Sequence, residues 1–300
     1  MPSSTSTPKT IAILGAGRIG STLAFQLVRS GGHPVTVVAR AGSDRLQQLQ
    51  RDGGIVTVKG ERAEVEIIDQ LDEQMPYDLV IVTLLAHQAA PLLPSLQRSA
   101  AKEILFMFNT FDPEAIIDAL GAERCAFGMS FLQADYDGDG RLDATIGAAG
   151  QKSLLGRQSL VDLFNAAGVP AVLERNMPLW LRCHAPLCIG FQSACGAGER
   201  RGGGCSWGEA RVVARGVKEA FTLIRCLGYR IYPGSKARLS RAPVWLLAGL
   251  FWGLSRNRPF RVLLATGRLE GRALTDAMVA AAAQCRGTVR VARIEAMRPL

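Results

Sequence analysis

Ile11-Ala12-Ile13-Leu14-Gly15-Ala16-Gly17-Arg18-Ile19-Gly20 decides the fold of this chain. Four apolar residues of strand length run straight into a glycine turn of the form GxGxxG. Ser21 to Arg29 follows with Leu23, Ala24, Leu27 and Val28 at helical spacing, and Val35 to Ala39 is a second β-branched strand ending in Arg40. Strand, glycine turn, helix and strand in this order make up the dinucleotide-binding fingerprint together with its required surroundings. Each glycine has a mechanical reason. Gly15 allows the sharp turn off the strand, Gly17 lets a pyrophosphate approach the backbone, and Gly20 lets the helix lie close on the sheet. The first-turn amides and the positive end of the helix dipole then face the phosphates, which makes Gly15, Ala16, Gly17, Arg18, Ile19 and Gly20 the expected phosphate cradle.

Arg40 stands where an NAD enzyme carries Asp or Glu. A guanidinium offers a planar fork to a 2′-phosphate that a carboxylate would repel, so NADP(H) is the expected cofactor. Arg45 nearby could share that role.

Outward from this unit the chain alternates between strand-like and helix-like stretches. Asp44 to Arg51 reads as a helix, Ile55 to Val58 and Ala63 to Ile68 as strands, and Tyr77 to Thr83 as a buried parallel strand by its continuous apolar run. The end of that strand places Leu84 beside the cofactor, because ligands lie at strand carboxyl ends in such sheets. Ala89 to Arg98 reads as a helix and Ile104 to Phe108 as a strand. Asn109 then either faces the crevice or caps the following turn. Cys125 to Phe131 is a strand. Asp135-Tyr136-Asp137-Gly138-Asp139-Gly140 imitates the start of a calcium loop, but Ile146 occupies the twelfth position where a glutamate is needed, so a hairpin returning through Leu142 to Ile146 is expected and no metal. Ser153 to Ala167 reads as a helix and Val169 to Leu173 as a strand.

From Pro178 onward the periodicity is helical. Pro178 to Ala194 is interrupted only by Arg182, His184 and Gln192. Gly196 to Gly204 reads as a connector or a substrate-facing loop, Ser206 and Glu209 as the cap of a helix running to about Leu227, and Glu270 to Cys285 as an alanine-rich helix. Val244 to Leu254 is too short to span a bilayer and is read as a buried helix or a dimer face. Two domains are therefore expected: residues 1–175, α/β with a doubly wound sheet, and residues 176–300, all-α, serving substrate binding and dimerisation.

The formal charge of +9 hides an asymmetry: residues 1–170 carry 14 Lys/Arg against 19 Asp/Glu, and residues 171–300 carry 21 against 7. A basic second half suits a small anionic substrate and cofactor phosphates. No nucleic-acid motif accompanies the arginines, and neither a nucleic acid nor a membrane is expected as partner. Met1 to Lys9 is polar, without the apolar core of a signal peptide, and reads as a frayed tail. The seven cysteines lack metal-ligand spacing and read as reduced thiols in a cytoplasmic protein. The long apolar helices suggest a homodimer.

Together these elements resemble the ketopantoate reductase family, within the 6-phosphogluconate-dehydrogenase-like oxidoreductases. Gly15–Gly20 followed by Val37-Val38-Ala39-Arg40 is similar to the family's opening. Val82-Thr83-Leu84-Leu85-Ala86-His87-Gln88 resembles a segment with lysine in place of Leu85, and Phe108-Asn109-Thr110 a Gln-Asn-Gly turn whose asparagine contacts cofactor and substrate. Leu179-Trp180-Leu181-Arg182 resembles the start of the second domain, with Arg182 at the catalytic lysine's place, and Pro186 and Gly190 stand at positions of substrate asparagines. Glu270-Gly271-Arg272-Ala273-Leu274 resembles a late helix whose glutamate lies near the cofactor ribose.

The resemblance implies a Rossmann domain followed by an all-α domain, and an NADPH-dependent oxidoreductase with Arg182, Asn109 and Glu270 in the catalytic roles. The departures point away from ketopantoate itself and toward another small 2-keto acid or carbonyl. Arginine stabilises a developing oxyanion but hardly ever gives up a proton, so His184 becomes a candidate proton donor. The competing expectation is an NADP(H)-binding sensor or scaffold that has lost turnover.

Overall fold

The computed structural model describes residues 7–147, 150–285 and 287–300. In chain order its elements are β1 Ile11–Leu14, α1 Arg18–Arg29, β2 Val35–Val38, α2 Asp44–Asp52, β3 Ile55–Val56, β4 Arg62–Ala63, β5 Glu66–Ile68, β6 Leu79–Val82, α3 Ala86–Ala89, α4 Leu93–Arg98, β7 Ile104–Phe106, α5 Pro113–Leu120, β8 Cys125–Met129, β9 Leu132–Tyr136, β10 Leu142–Ile146, β11 Ser153–Leu155, α6 Gln158–Ala166 and β12 Ala171–Leu173. Helices alone follow: α7 Met177–Arg200, α8 Trp207–Cys226, α9 Gly234–Arg241, α10 Val244–Leu254, α11 Arg258–Ala265, α12 Arg268–Ala281 and α13 Val291–Glu295. The expected α/β sheet followed by an all-α region is thus the observed architecture.

Two compact units emerge. One runs to Phe108 and resumes over Glu114–Met177; the other joins the short stretch Asn109–Pro113 to Pro178–Leu300. The first is organised by an eight-stranded mixed sheet of order β12-β11-β8-β7-β6-β1-β2-β5. β1 lies between β2 and β6, parallel to both, with Ile11 to Leu14 in register with Val35 to Val38 and with Leu79 to Val82. The chain leaves β1 toward β2 and later returns on its other side as β6. The end of β1 is therefore the point where strand order reverses, and a crevice opens there in doubly wound sheets. Ile11, Ile13, Leu79 and Ile81 are fully buried, as strands covered on both faces must be.

Several local expectations need correction. Ile55–Val56 is only two residues long and pairs antiparallel with Arg62–Ala63 in a separate ribbon, while Glu66–Ile68 alone reaches the large sheet. The helix expected over 89–98 is split into α3, a 3-10 turn at Ala90–Leu92 and α4, because Pro91 and Pro94 remove backbone donors. Ser153 to Leu155 is a strand, paired with β8 and β12, and the helix begins only at Gln158. Gly156 makes the change of direction beside β8, where its amide donates to the Phe127 carbonyl at 3.0 Å. α7 continues to Arg200, absorbing half of the expected connector. Of the expected tail, residues 1–6 lie outside the described residues, whereas the Lys9 amide is tied to His33 Nδ1 at 3.2 Å.

The Asp/Gly-rich segment is the expected hairpin, β9 and β10 pairing antiparallel from Leu132↔Ile146 to Tyr136↔Leu142.

The cysteines are not all thiols. Cys226, at the end of α8, is bonded to Cys285 in the 3-10 turn after α12, with Cα atoms 6.1 Å apart. Cys125, Cys183, Cys188, Cys195 and Cys205 are free. A 59-residue separation with no spacing signature conceals such a pairing, which depends on how α8 and the later turn meet in space. The cytoplasmic expectation loses the support it drew from fully reduced cysteines. Among the described residues, no helix is long and apolar enough to cross a membrane.

Candidate active site

The glycine turn sits at the carboxyl end of β1 as the sequence requires. Gly15 has φ +109°, a conformation that side chains resist, and its amide donates to the Val38 carbonyl at 3.0 Å. Thr83 Oγ1 donates to the carbonyls of Leu14 (3.2 Å) and Gly15 (3.0 Å), fastening the turn to the end of β6. A Cβ on Gly20 would fall on the Gly15 carbonyl oxygen and at 2.6 Å from Thr83 Oγ1, so Gly20 is a packing glycine. A Cβ on Gly17 would meet nothing within 4 Å. Space is therefore left open at Gly17, as a ligand held against the backbone needs. Gly17 caps α1, and the first bond of the helix is Ser21 N–H to the Gly17 carbonyl at 2.8 Å. Helix geometry leaves the amides before Ser21 to an outside acceptor.

A cavity of about 1010 Å³ opens here, lined by Gly15, Ala16, Gly17, Arg40, Thr83, Leu84 and Tyr136 among others. Its size suits a nucleotide cofactor. Arg40 is exposed and lines it. Arg45 also lines it but is committed to the protein: it donates to Ala16 O (3.3 Å), Gln48 Oε1 (2.7 Å), Gly140 O (3.0 Å) and Ser21 Oγ (3.0 Å), and its guanidinium lies 4.3 Å over Tyr136. Arg18 pairs with Asp135 at 2.9 Å, and Tyr136 Oη donates to Ala16 O at 3.1 Å, so the β9–β10 hairpin braces the glycine turn. Arg18, Ile19 and Gly20 do not line the cavity. The sequence did not reveal Tyr136 as part of this site. Its only sign was an aromatic inside an Asp/Gly run.

The helical unit holds a second constellation. Asn109 Nδ2 donates to Glu270 Oε1 at 2.9 Å, and Gln192 Nε2 to Glu270 Oε2 at 2.8 Å. Cys188 lies among them, its thiol 3.8 Å from Glu270 Oε2, 3.3 Å from Gln192 Nε2 and 3.6 Å from Asn109 Nδ2. Burial, reinforced by the Glu270 charge, raises the Cys188 thiol well above its ordinary range, so it stays protonated. Asn109 Oδ1 and Gln192 Oε1 are buried without a hydrogen-bond partner among the described residues. Gly267 and Gly271 make the room: a Cβ on either would strike the Gln192 amide. Asn109 and Glu270 were candidates from sequence. Gln192 and Cys188 were not, although a glutamine interrupting an apolar helix one turn after a cysteine was the available signal.

Arg182 keeps other company. It is 4 % exposed, its guanidinium lies 4.0 Å over Tyr229 and 5.4 Å from Phe111, and Nη2 is 3.5 Å from Asp112 Oδ1. Six residues along α7 place it about 120° around the helix from Cys188. His184 stacks on Trp180 at 4.5 Å, and Lys236 Nζ is 3.6 Å above the same indole while donating to the Trp180 carbonyl at 3.0 Å. Burial, with the Lys236 charge adding to it, pushes the His184 pKa down to about 3. A neutral imidazole at ordinary pH is a poor acid, which argues against His184 as proton donor. Gly190 is explained by packing: a Cβ there would lie 2.7 Å from the Phe251 ring. Among the described residues no group of side chains could hold a metal ion.

Residues 11–152 match the family described as ketopantoate reductase PanE/ApbA. The chain is 31% identical over 99 residues to the 2-dehydropantoate 2-reductase of Bacillus subtilis (strain 168), a match spanning 33% of this chain and 32% of that protein's length. In structure it is similar to a PanE/ApbA family ketopantoate reductase from Ralstonia eutropha JMP134, with TM-score 0.71, 19% identity and 96% of each chain covered. It is also similar to D-mandelate dehydrogenase in a ternary structure with NADH and anilino(oxo)acetate, with TM-score 0.69, 18% identity and 96% of each chain covered. The structural likenesses, under 25% identical, show the fold alone.

Proposed function

We propose that this protein is an NADPH-dependent reductase of a small 2-keto acid or related carbonyl, within the ketopantoate reductase-like family. The observation that carries the reading is the open, Cβ-free approach at Gly17 beside an exposed Arg40 in a 1010 Å³ cavity at the strand-order reversal. Those residues fit a nicotinamide dinucleotide: the backbone of Gly15, Ala16 and Gly17 suits its diphosphate, Leu84 its flank, and Arg40 the extra phosphate of NADP. That cofactor, when bound, supplies the hydride. The oxyanion left on a reduced carbonyl needs donors or a cation. Asn109 is assigned to cofactor and substrate, and Glu270, oriented by the amides of Asn109 and Gln192, to holding a hydroxyl. Arg182 stands in the place of the family lysine but lies beneath Tyr229, about 120° around α7 from Cys188, so no substrate contact is assigned to it. The anilino(oxo)acetate bound by the D-mandelate dehydrogenase neighbour carries an amide carbonyl next to a carboxylate, the outline of a 2-keto acid, which supports the substrate class.

Titration with NADPH and NADH tests the cofactor assignment. NADPH should bind more tightly, and Arg40→Ala should weaken NADPH by about tenfold while leaving NADH nearly unchanged. Binding of neither nucleotide would remove the enzyme reading. A second reading, an NADP(H)-binding protein without turnover, is favoured by the burial of Arg182 beneath Tyr229. It requires NADPH binding with no oxidation across a panel of 2-keto acids. Arg182→Lys restoring turnover would mark the chemistry as degenerate.

A further inference from the structure

We propose that the α10 face of the helical unit rests on an anionic lipid surface. The eleven residues of α10, VWLLAGLFWGL, contain no charge. A helix apolar all round is ordinarily buried. Here only one edge is: Leu247, Ala248 and Phe251 are at most 1 % exposed and pack in the helical core. The other edge is open, with Trp245 65 %, Leu246 50 % and Trp252 38 % exposed. At 100° per residue Trp245, Gly249 and Trp252 fall on one line along the helix. Trp207, from the start of α8, stands 6.3 Å from Trp252, and the Arg256 guanidinium lies 3.5 Å over the Trp252 ring. Indole rings backed by arginine form the pattern of a surface placed at the boundary between headgroups and acyl chains.

Charge selects the occupant. The fifty residues from Ala220 to Leu269 carry nine Lys/Arg and no Asp or Glu. Lys236 and Arg261 are buried; Arg225, Arg230, Arg238, Arg241, Arg256, Arg258 and Arg268 are exposed. Glu209, the acid nearest Trp207 in sequence, accepts from the Ser206 amide and pairs with Arg201 at 3.9 Å. A two-fold contact with a second copy would set these arginines against their own equivalents with no acid in the segment to meet them. A layer of acidic headgroups supplies the opposite charge that such a contact lacks, and each arginine near it is worth about fivefold in affinity. Eleven residues cannot cross a bilayer, so the helix lies on the surface rather than through it. This departs from the expectation that no membrane is a partner.

Flotation of the full chain with vesicles tests the assignment. Vesicles of phosphatidylcholine mixed with phosphatidylglycerol should carry the protein at least about tenfold better than phosphatidylcholine alone, with a blue shift of tryptophan emission and release at high salt. Trp245→Ser combined with Trp252→Ser should abolish flotation, and Arg241→Glu combined with Arg258→Glu should reduce it about tenfold or more. Unchanged urea midpoints would verify that the variants fold. Equal binding to both vesicle types, no binding to either, or indifference to both variant pairs would overturn the proposal. So would a dimer in sedimentation that Trp245→Ser dissociates, since the face would then belong to a second copy.

Discussion

Asn109 Nδ2 lies 2.9 Å from Glu270 Oε1, joining two residues 161 positions apart in the chain. Gln192 Nε2 holds the other carboxylate oxygen at 2.8 Å. The carboxylate is therefore oriented by two buried amides. Glu270→Ala should leave both amides without their acceptor, and each such loss costs about 1–3 kcal/mol. Urea unfolding should show a decrease of about 2–5 kcal/mol. The double variant with Asn109→Ala should be less destabilised than the sum of the singles. Strict additivity in that cycle would mean that the pair is not coupled.

Gly17 and Gly20 should respond in opposite ways to the same added methyl. Gly20→Ala drives a Cβ into the Gly15 carbonyl and the Thr83 hydroxyl, and should lower stability by more than about 2 kcal/mol. Gly17→Ala has open space around it, so the urea midpoint should hold while NADPH affinity falls by at least about tenfold. Equal NADPH binding by Gly17→Ala and the parent would move the diphosphate away from this turn.

His184 should make stability depend on pH. Its pKa falls from 6.5 to about 3 on folding, through burial first and the Lys236 charge second. The unfolded chain binds this proton more readily, so the contribution is fully present above pH 6.5 and is lost as the pH drops toward 3. The slope from this residue is at most about 1.4 kcal/mol per pH unit. His184→Gln should flatten the acid limb of a urea-midpoint series. A variant as acid-sensitive as the parent would assign the effect to other groups.

The Cys226–Cys285 bond closes a loop between residues 59 apart. Chain entropy for such a loop amounts to about 4 kcal/mol. Reductant should therefore lower the thermal midpoint of the parent and leave Cys226→Ser combined with Cys285→Ser unmoved. Identical midpoints with and without reductant would show that the bond contributes nothing.

Local periodicity made much of the fold legible. Ile11 to Leu14, Val35 to Val38 and Leu79 to Val82 are short apolar runs buried on both faces, and neighbouring Gly, Ser and Asp residues punctuate them. Where the reading failed, a tertiary partner overrode the local pattern. Ser153 to Leu155 belongs to a helix by periodicity, but β8 and β12 offer it hydrogen bonds on both sides. Pro91 and Pro94 each remove a backbone donor, which divides the stretch from Ala89 to Arg98 into a 3-10 turn and a short helix.

The amino-acid order by itself determined the glycine turn, because positive φ at Gly15 is a demand of that residue's own backbone and the missing Cβ at Gly20 answers the Gly15 carbonyl five residues earlier. It likewise determined Arg40 at the strand end and the capping box of Ser206 and Glu209. Only the tertiary structure decided that Glu270 is held by Asn109 and Gln192, that Arg182 lies beneath Tyr229, that Cys226 meets Cys285 and that α10 leaves its tryptophans uncovered. Those outcomes depend on how helices remote in sequence pack together, and packing of that kind has no local periodicity to announce it.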